Sequence, residues 1–214
     1  MALRKVVLTE GETYHIFNKT NYNLPLFKNK HEFSVFLEAT HYYLQPEPPI
    51  KFSKYRKSKS KYDVNFSRKL VTVICFCLMP NHFHFILRQE LEKGIEKFMT
   101  KLCSSYAHYF NTKHETAGSL FHGSFKSIRV ENDEQLLHLS RYIHLNPVTA
   151  YLVENPEDYL FSSYLNYLGK KKLDFLNPSL VLNQFKSPKD YKKFVLARKD
   201  YQRELEKIKH LTLE

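Results

Sequence analysis

The stretch that most constrains the fold is a pair of apolar segments separated by Met79-Pro80-Asn81. The first segment, residues 70–78, is rich in β-branched and aromatic side chains, and the second begins at His82. Two such segments joined by a short turn sequence predict a β-hairpin. Because side chains alternate along a strand, His82 and His84 should share one face, while the apolar side chains between and after them face the other way.

Two imidazoles on one face of a stiff strand are a pre-aligned pair of metal ligands, since imidazole nitrogen suits borderline divalent metals. A His-x-His pattern taken alone is more often a pair of surface histidines on a half-exposed strand. The rest of the sequence therefore has to decide between a metal site and an ordinary strand surface.

Composition narrows the class of protein and its partners. The 214 residues suit one sizeable domain with an extension. A net charge of +11 favours a polyanionic partner, with nucleic acid ahead of a membrane. The three cysteines, Cys75, Cys77 and Cys103, fit no disulfide framework and indicate the reducing cytoplasm. The sequence has no secretion signal and no apolar run of membrane-spanning length, so we expect no membrane association.

Strand and helix patterns surround the hairpin. They predict a strand over residues 13–18, a helix over about 29–43, a helix over 91–111, a strand over 121–130 and a helix from Asn132 or Asp133. Pro147 disfavours a helical residue before it, so the last of these helices should end near Asn146. From about residue 169 the chain changes to a helical tail that could dock on the core or face a partner.

A basic segment precedes the hairpin. Residues 51–69 contain eight lysines and arginines against one acidic residue, with four interleaved aromatic side chains. One interpretation is an arm that binds single-stranded nucleic acid through charge and stacking, with Lys54, Arg56 and Lys57 as DNA contacts. The other interpretation is a solvated insertion before a strand. The sequence leaves both open.

A candidate nucleophile lies on the late helix. Tyr142 and Asn146 are four residues apart, which places them on one helix face about one turn apart. A phenol that attacks a phosphate, opposite two histidines that hold a metal, is a coherent active site. A free phenol has a pKa of about 10, so nearby cations such as Lys126 or Arg129 could stabilise the attacking oxygen.

These residues resemble a known family. The strings Pro80-Asn81-His82-Phe83-His84 and Tyr142-Ile143-His144-Leu145-Asn146-Pro147-Val148 are similar to the motifs of the single-tyrosine HUH transposases, most closely the REP-associated tyrosine transposase branch. Residues 118–123, Tyr159 and Ser162-Ser163-Tyr164 agree in order and spacing. The resemblance covers roughly residues 14–167 and leaves out the basic insertion and the tail.

The resemblance implies an α+β fold, a ferredoxin-like α/β sandwich with a central antiparallel sheet, followed by a C-terminal helical extension. It divides the chain into an HUH catalytic domain, residues 1–168 with an insertion at about 46–69, and an extension over 169–214. It also implies metal-dependent nicking and strand transfer of single-stranded, hairpin-bearing DNA through a covalent 5′-phosphotyrosine. Relatives of this kind act as monomers or as homodimers.

By position, the resemblance makes Tyr142 the nucleophile, and His82, His84 and Asn146 the ligands of Mg²⁺ or Mn²⁺. The sequence departs from the family at two points. Relatives often carry Arg-Gly where this chain has Lys19-Thr20, and arginine where it has Ser124. We therefore expect Lys19 to contact DNA, with substrate detail changed more than the chemistry.

Two other functions compete with nicking. Cys75, Cys77, His82 and His84 have the ligand types of a structural zinc site, provided that strand pairing brings them to one face. They would share a face if Leu78 pairs opposite Phe83. The second alternative is a non-catalytic nucleic-acid-binding regulatory protein, in which Tyr142 is a packing residue.

Overall fold

The computed structural model describes residues 7–58 and 66–199. Four antiparallel strands form one sheet in the order β2-β3-β1-β4. The strands are β1 (Thr13–Lys19), β2 (Val71–Met79), β3 (His82–Gln89) and β4 (Lys126–Arg129). The predicted hairpin is present as β2 and β3, with Pro80 and Asn81 at its turn.

Helices lie on both sides of the sheet. Their bounds are α1 (Lys30–Tyr42), α2 (Phe52–Lys57), α3 (Gly94–His114), α4 (Asp133–Thr149), α5 (Tyr164–Tyr167), α6 (Ser179–Leu182) and α7 (Pro188–Leu196). Asn29 and Asn132 cap α1 and α4, because each side chain accepts a hydrogen bond from the backbone N–H three residues later. Within the described ranges, no helix combines the length and apolarity needed to cross a membrane.

The two faces of the sheet pack against different helices. Phe83 and Phe85 point to the layer formed by α1 and α3, where they join a core that includes Phe36 and Phe98. The opposite face carries a second core in which strand residues such as Ile86 pack with Ile143 of α4. The alternation predicted for β3 therefore places His82 and His84 on the α4 side of the sheet.

Strand pairing sets the neighbours of the two histidines. On one side, β2 places Met79 opposite His82 and Cys77 opposite His84. On the other side, β1 places Lys19 opposite His82 and Phe17 opposite His84. The pair thus lies on a central strand rather than on an exposed edge.

Two predicted element boundaries are wrong. The helix predicted to end near Asn146 continues to Thr149 with Pro147 inside it. A proline in a helix costs about 3 kcal/mol. Burial of Leu145, Pro147 and Val148 in the core offsets that penalty in the last turn.

The strand predicted over residues 121–130 is also shorter than expected, since β4 spans only Lys126–Arg129. Phe121 forms an isolated bridge to Thr20. Gly123 follows it with a φ of +69°. This left-handed backbone interrupts the extended conformation, so the two pieces do not form one strand.

The described part of the tail docks on the core. Val181, Tyr191 and Val195 are fully buried in the cluster beneath α4. The part of the predicted helical tail from residue 200 onward lies outside the described residues. In the basic segment, α2 buries Phe52 against Tyr42 and Tyr43, and residues 59–65 lie outside the described residues.

Candidate active site

One cavity brings the predicted nucleophile and both predicted histidine ligands together. It has a volume of about 260 Å³ and is lined by Phe17, Asn18, Lys19, Asn23, Asn81, His82, Phe83, His84, His122, Lys126 and Tyr142. The Tyr142 ring stands edge-on to the His84 ring with their centroids 5.7 Å apart. Tyr142 is 40% exposed, so its phenol is open to a substrate in the cavity.

His84 lies in an apolar, crowded part of the cavity. Its Nδ1 is 2.9 Å from Nε2 of His15 on β1, and the two rings stack with centroids 5.2 Å apart. Burial lowers the pKa of His84 well below its ordinary value, and the nearby imidazoles of His82 and His15 lower it further. Burial also lowers the pKa of His15 to about 4. Both rings are therefore neutral near pH 7.

His82 is held between two asparagines. Its Nδ1 is 2.7 Å from Oδ1 of Asn81, and its side chain also hydrogen-bonds with Asn146 of α4. Burial lowers the pKa of His82, the Asn146 bond acts in the opposite direction, and the charge of Lys19 lowers the pKa again. Asn146 therefore reaches the site, as its spacing from Tyr142 predicts.

Buried contacts fix the position of α4 above the sheet. His144 points to the core, where its Nδ1 is 2.7 Å from the Tyr191 hydroxyl and its Nε2 is 2.8 Å from Oγ of Ser163. Cys75 Sγ lies 3.3 Å from the same Nε2. Complete burial lowers the pKa of His144 to about 3, so the ring is neutral. The helix that carries Tyr142 is thus tied to β2 and to α7.

The six predicted DNA contacts fall into separate groups. Lys19 and Lys126 line the cavity. Arg129, at the other end of β4, forms an ion pair with Glu12 at 2.9 Å. Lys54, Arg56 and Lys57 lie on α2, beside α1 and α3 on the opposite side of the sheet, and Arg56 pairs with Glu38 at 3.0 Å. The structure therefore brings two of the six to the candidate nucleophile.

The donor atoms fit a divalent metal ion. Two neutral imidazoles, His82 and His84, share the site with the amide of Asn146, which gives a mixed nitrogen and oxygen set of the kind that Mn²⁺ accepts. Across residues 7–58 and 66–199, no three histidine, cysteine or acidic side chains converge as a metal-binding group. The remaining coordination positions would thus fall to oxygens of the substrate or water.

The alternative zinc site does not assemble. Leu78 does pair opposite Phe83, so Cys77 shares a face with His84. Cys75, however, contacts His144, and Cys77 lies 3.7 Å from Sδ of Met79. Burial raises the pKa of the Cys75 thiol to about 12 and that of the Cys77 thiol well above its ordinary value.

Three residues at the site were not predicted from the sequence as site residues: His15, Asn81 and His122. Asn81 directly precedes the histidine motif, which is a usable signal. His15 alternates with Phe17 on β1, so both share a face, but their place beside His84 follows only from the pairing of β1 with β3. His122 follows the bridge residue Phe121 and enters the cavity through the turn at Gly123.

Residues 50–146 match the family described as "Transposase IS200 like". The matched segment contains His82, His84 and Tyr142 and ends at Asn146. The predicted transposase resemblance is confirmed. Among curated proteins, no sequence shows a significant match to the chain.

A solved structure of a REP-associated tyrosine transposase bound to a REP hairpin has a similar fold. The TM-score is 0.58 at 13% sequence identity, and the alignment covers 82% of this chain and 96% of that chain. The predicted α+β fold with a central antiparallel sheet is confirmed by this likeness.

Proposed function

We propose that this transposase-like protein nicks and rejoins single-stranded DNA through a covalent 5′-phosphotyrosine at Tyr142, with Mg²⁺ or Mn²⁺ as cofactor. One observation carries the proposal. A partly exposed phenol lies beside two neutral imidazoles in a cavity that also contains the cations Lys19 and Lys126. A nucleophile, a metal-binding pair and phosphate-binding charges are the groups that phosphodiester transfer requires.

The proposed reaction exchanges one phosphodiester for another. The Tyr142 phenol gives up its proton to solvent as its oxygen attacks the scissile phosphorus, the new P–O bond forms, and the bond from phosphorus to the 3′ oxygen breaks. The departing 3′ oxygen takes a proton and leaves as a hydroxyl, while the 5′ phosphate stays on Tyr142. A 3′-hydroxyl then attacks the same phosphorus, which restores a DNA phosphodiester and the free phenol. No nucleotide cofactor is consumed in either direction.

Each cavity residue has a distinct part in this proposal. His82, His84 and Asn146 would hold the metal, which supplies neutralisation and orientation of the scissile phosphate. Lys19 and Lys126 bind the phosphates that flank it. Their charges act in a partly enclosed cavity, where they stabilise a developing negative charge more strongly than in bulk water. The packing of α4 on the sheet keeps Tyr142 facing the bound strand.

Hairpin-bearing DNA is the proposed substrate. The net charge of +11 supports a nucleic-acid partner, and the structurally similar transposase is bound to a REP hairpin. We also propose that residues 1–168 form the catalytic domain, that the protein works in the cytoplasm and that two copies can associate as a homodimer. The free cysteines, of which Cys75 and Cys77 are buried, support a reducing compartment.

Covalent adduct formation tests the proposed function. Purified protein is incubated with Mn²⁺ and a hairpin-bearing oligonucleotide copied from DNA flanking the gene, and adducts are resolved on a denaturing gel. Tyr142→Phe should abolish the adduct while binding persists, because only the hydroxyl is lost. Tyr151→Phe is a matched control, since Tyr151 is another exposed tyrosine just after α4. An adduct formed by Tyr142→Phe would show that the nucleophile is assigned wrongly.

The histidine pair is tested in the same assay. His82→Ala and His84→Ala should lose metal-dependent adduct formation and keep salt-sensitive DNA binding, because phosphate contacts from lysines remain. Adduct formation that continues unchanged in a chelator would contradict the proposed role of the metal.

A further inference from the structure

Both histidines of the motif have a side-chain partner on the same ring atom. Nδ1 of His82 is 2.7 Å from Oδ1 of Asn81. Nδ1 of His84 is 2.9 Å from Nε2 of His15, whose side chain is only 8% exposed. In His84, Nε2 is therefore the nitrogen that remains for a ligand in the cavity, whereas His82 also has a side-chain hydrogen bond to Asn146.

The partner of one ring nitrogen decides what the other can do. A neutral imidazole carries one hydrogen, and only the nitrogen without it can hold a metal. Oδ1 of Asn81 can only accept a hydrogen bond, so Nδ1 of His82 donates to it, and Asn146 is the other side-chain partner of that ring. For His84 the partner is another imidazole, that of His15. If Nε2 of His15 accepts the hydrogen bond, Nδ1 of His84 carries the hydrogen, and Nε2 of His84 keeps its lone pair for a ligand.

We propose that His15 is a positioning residue that accepts a hydrogen bond from Nδ1–H of His84 and thereby directs Nε2 of His84 to the divalent metal. Asn81 is the corresponding acceptor for Nδ1 of His82. This inference rests on the proposed function, because it assigns a role at the same metal site. His15 itself then carries its hydrogen on Nδ1 and does not contact the metal.

The β1–β3 register explains why His15 can hold this position. His15 pairs opposite Ile86 and Phe17 pairs opposite His84, so His15 is the diagonal neighbour of His84 on the same face of the sheet. The Phe17 ring stacks on His15 at 4.7 Å and lies 5.9 Å from the His84 ring. Two paired central strands and a flanking ring thus fix the orientation of both imidazoles.

Packing alone would not require a histidine here. Phe17 contacts the same two rings without any hydrogen-bonding atom, so it separates the effect of packing from that of hydrogen bonding. Three variants follow from this contrast. His15→Phe removes the acceptor and keeps a ring, His15→Gln keeps an acceptor oxygen at a similar reach, and Phe17→Leu reduces packing alone.

The first measurement is the tautomer of His84 in the metal-free protein, read from long-range ¹H–¹⁵N NMR correlations at a pH well above the ordinary imidazole pKa. Wild type, His15→Gln and Phe17→Leu should show Nδ1–H at His84. His15→Phe should show a mixture that includes Nε2–H. The wild-type spectrum tests the inference even if His15→Phe fails to fold, because Nε2–H at His84 in wild type would overturn it.

The second measurement is Mn²⁺ affinity by isothermal titration calorimetry, without DNA. Loss of a side chain that orients a metal ligand typically weakens metal binding by about 10–100-fold, and we expect this for His15→Phe. His15→Gln and Phe17→Leu should stay within a few-fold of wild type. Equal affinity of His15→Phe and wild type would refute the role of His15 and leave the proposed function standing. A wild-type protein that binds no Mn²⁺ would instead refute the metal-dependent function itself.

Discussion

Removal of one hydroxyl from α7 should loosen α4, the helix that carries the proposed nucleophile Tyr142. The Tyr191 hydroxyl donates to Oγ of Ser140 at 3.1 Å and lies 2.7 Å from Nδ1 of His144, from which it accepts. All three side chains are fully buried, and Ser140 and His144 belong to α4. Tyr191→Phe keeps the ring and leaves Nδ1–H of His144 without a partner.

The size of the effect follows from that unpaired donor. A buried polar group that loses its hydrogen-bond partner costs about 1–3 kcal/mol. Ser140 keeps its bond to the carbonyl of Leu137, so it adds little to the loss. For a chain of this length each kcal/mol lowers the melting temperature by about 2–4 °C. We therefore expect Tyr191→Phe to reduce the free energy of unfolding by about 1–3 kcal/mol.

Urea unfolding followed by circular dichroism measures this loss. Tyr142→Phe is the matched control, because its hydroxyl is on the exposed face of the same helix and should change stability by no more than about 0.5 kcal/mol. If Tyr191→Phe were as stable as Tyr142→Phe, the hydrogen bonds between α7 and α4 would not contribute to stability, and α7 would not anchor α4.

Two further predictions concern DNA binding and pH. Lys126→Ala should reduce the slope of log K, the association constant for single-stranded DNA, against log salt by about 0.7, which is the share of one phosphate contact. Lys101→Ala on α3 is the control and should leave this slope unchanged. Equal slopes for both variants would contradict the cavity as the binding site. Burial lowers the pKa of His144 to about 3 and that of His15 to about 4, from 6.5. Below 6.5 the unfolded chain takes up protons that the folded protein does not, so stability should fall as pH drops from 6.5 toward 4. Urea midpoints that stay constant over this range would refute the neutral, buried state of these rings.

Local patterns were sufficient for much of the fold. The alternation of residues 82–87 predicts both the strand and the shared face of His82 and His84, because the period of a strand is set by its backbone. The four-residue spacing of Tyr142 and Asn146 likewise predicts their common helix face, and the structure brings both to the histidines. Each of these inferences needs only the geometry of one element.

Contacts between distant segments could not be predicted in this way. The contact of His15 with His84 depends on β1 pairing with β3, which brings together residues 69 positions apart in the sequence. The extension of α4 past Asn146 depends on burial of Pro147 in a core that no local rule describes. The basic segment is another case, since burial of Phe52 places α2 on the side of the sheet away from the cavity.

The position of the proposed nucleophile, Tyr142, depends on residues outside the segment that matches the transposase family. Successive residues of a helix are about 100° apart, so Tyr142 and His144 point about 200° apart around α4. His144 is fixed from below by Ser163 and Tyr191, and this fixes the direction of the Tyr142 phenol above the sheet. The matched segment ends at residue 146, before either contact. Residues 163–195 therefore belong to the physical support of the candidate active site, even though they contribute no side chain to the cavity.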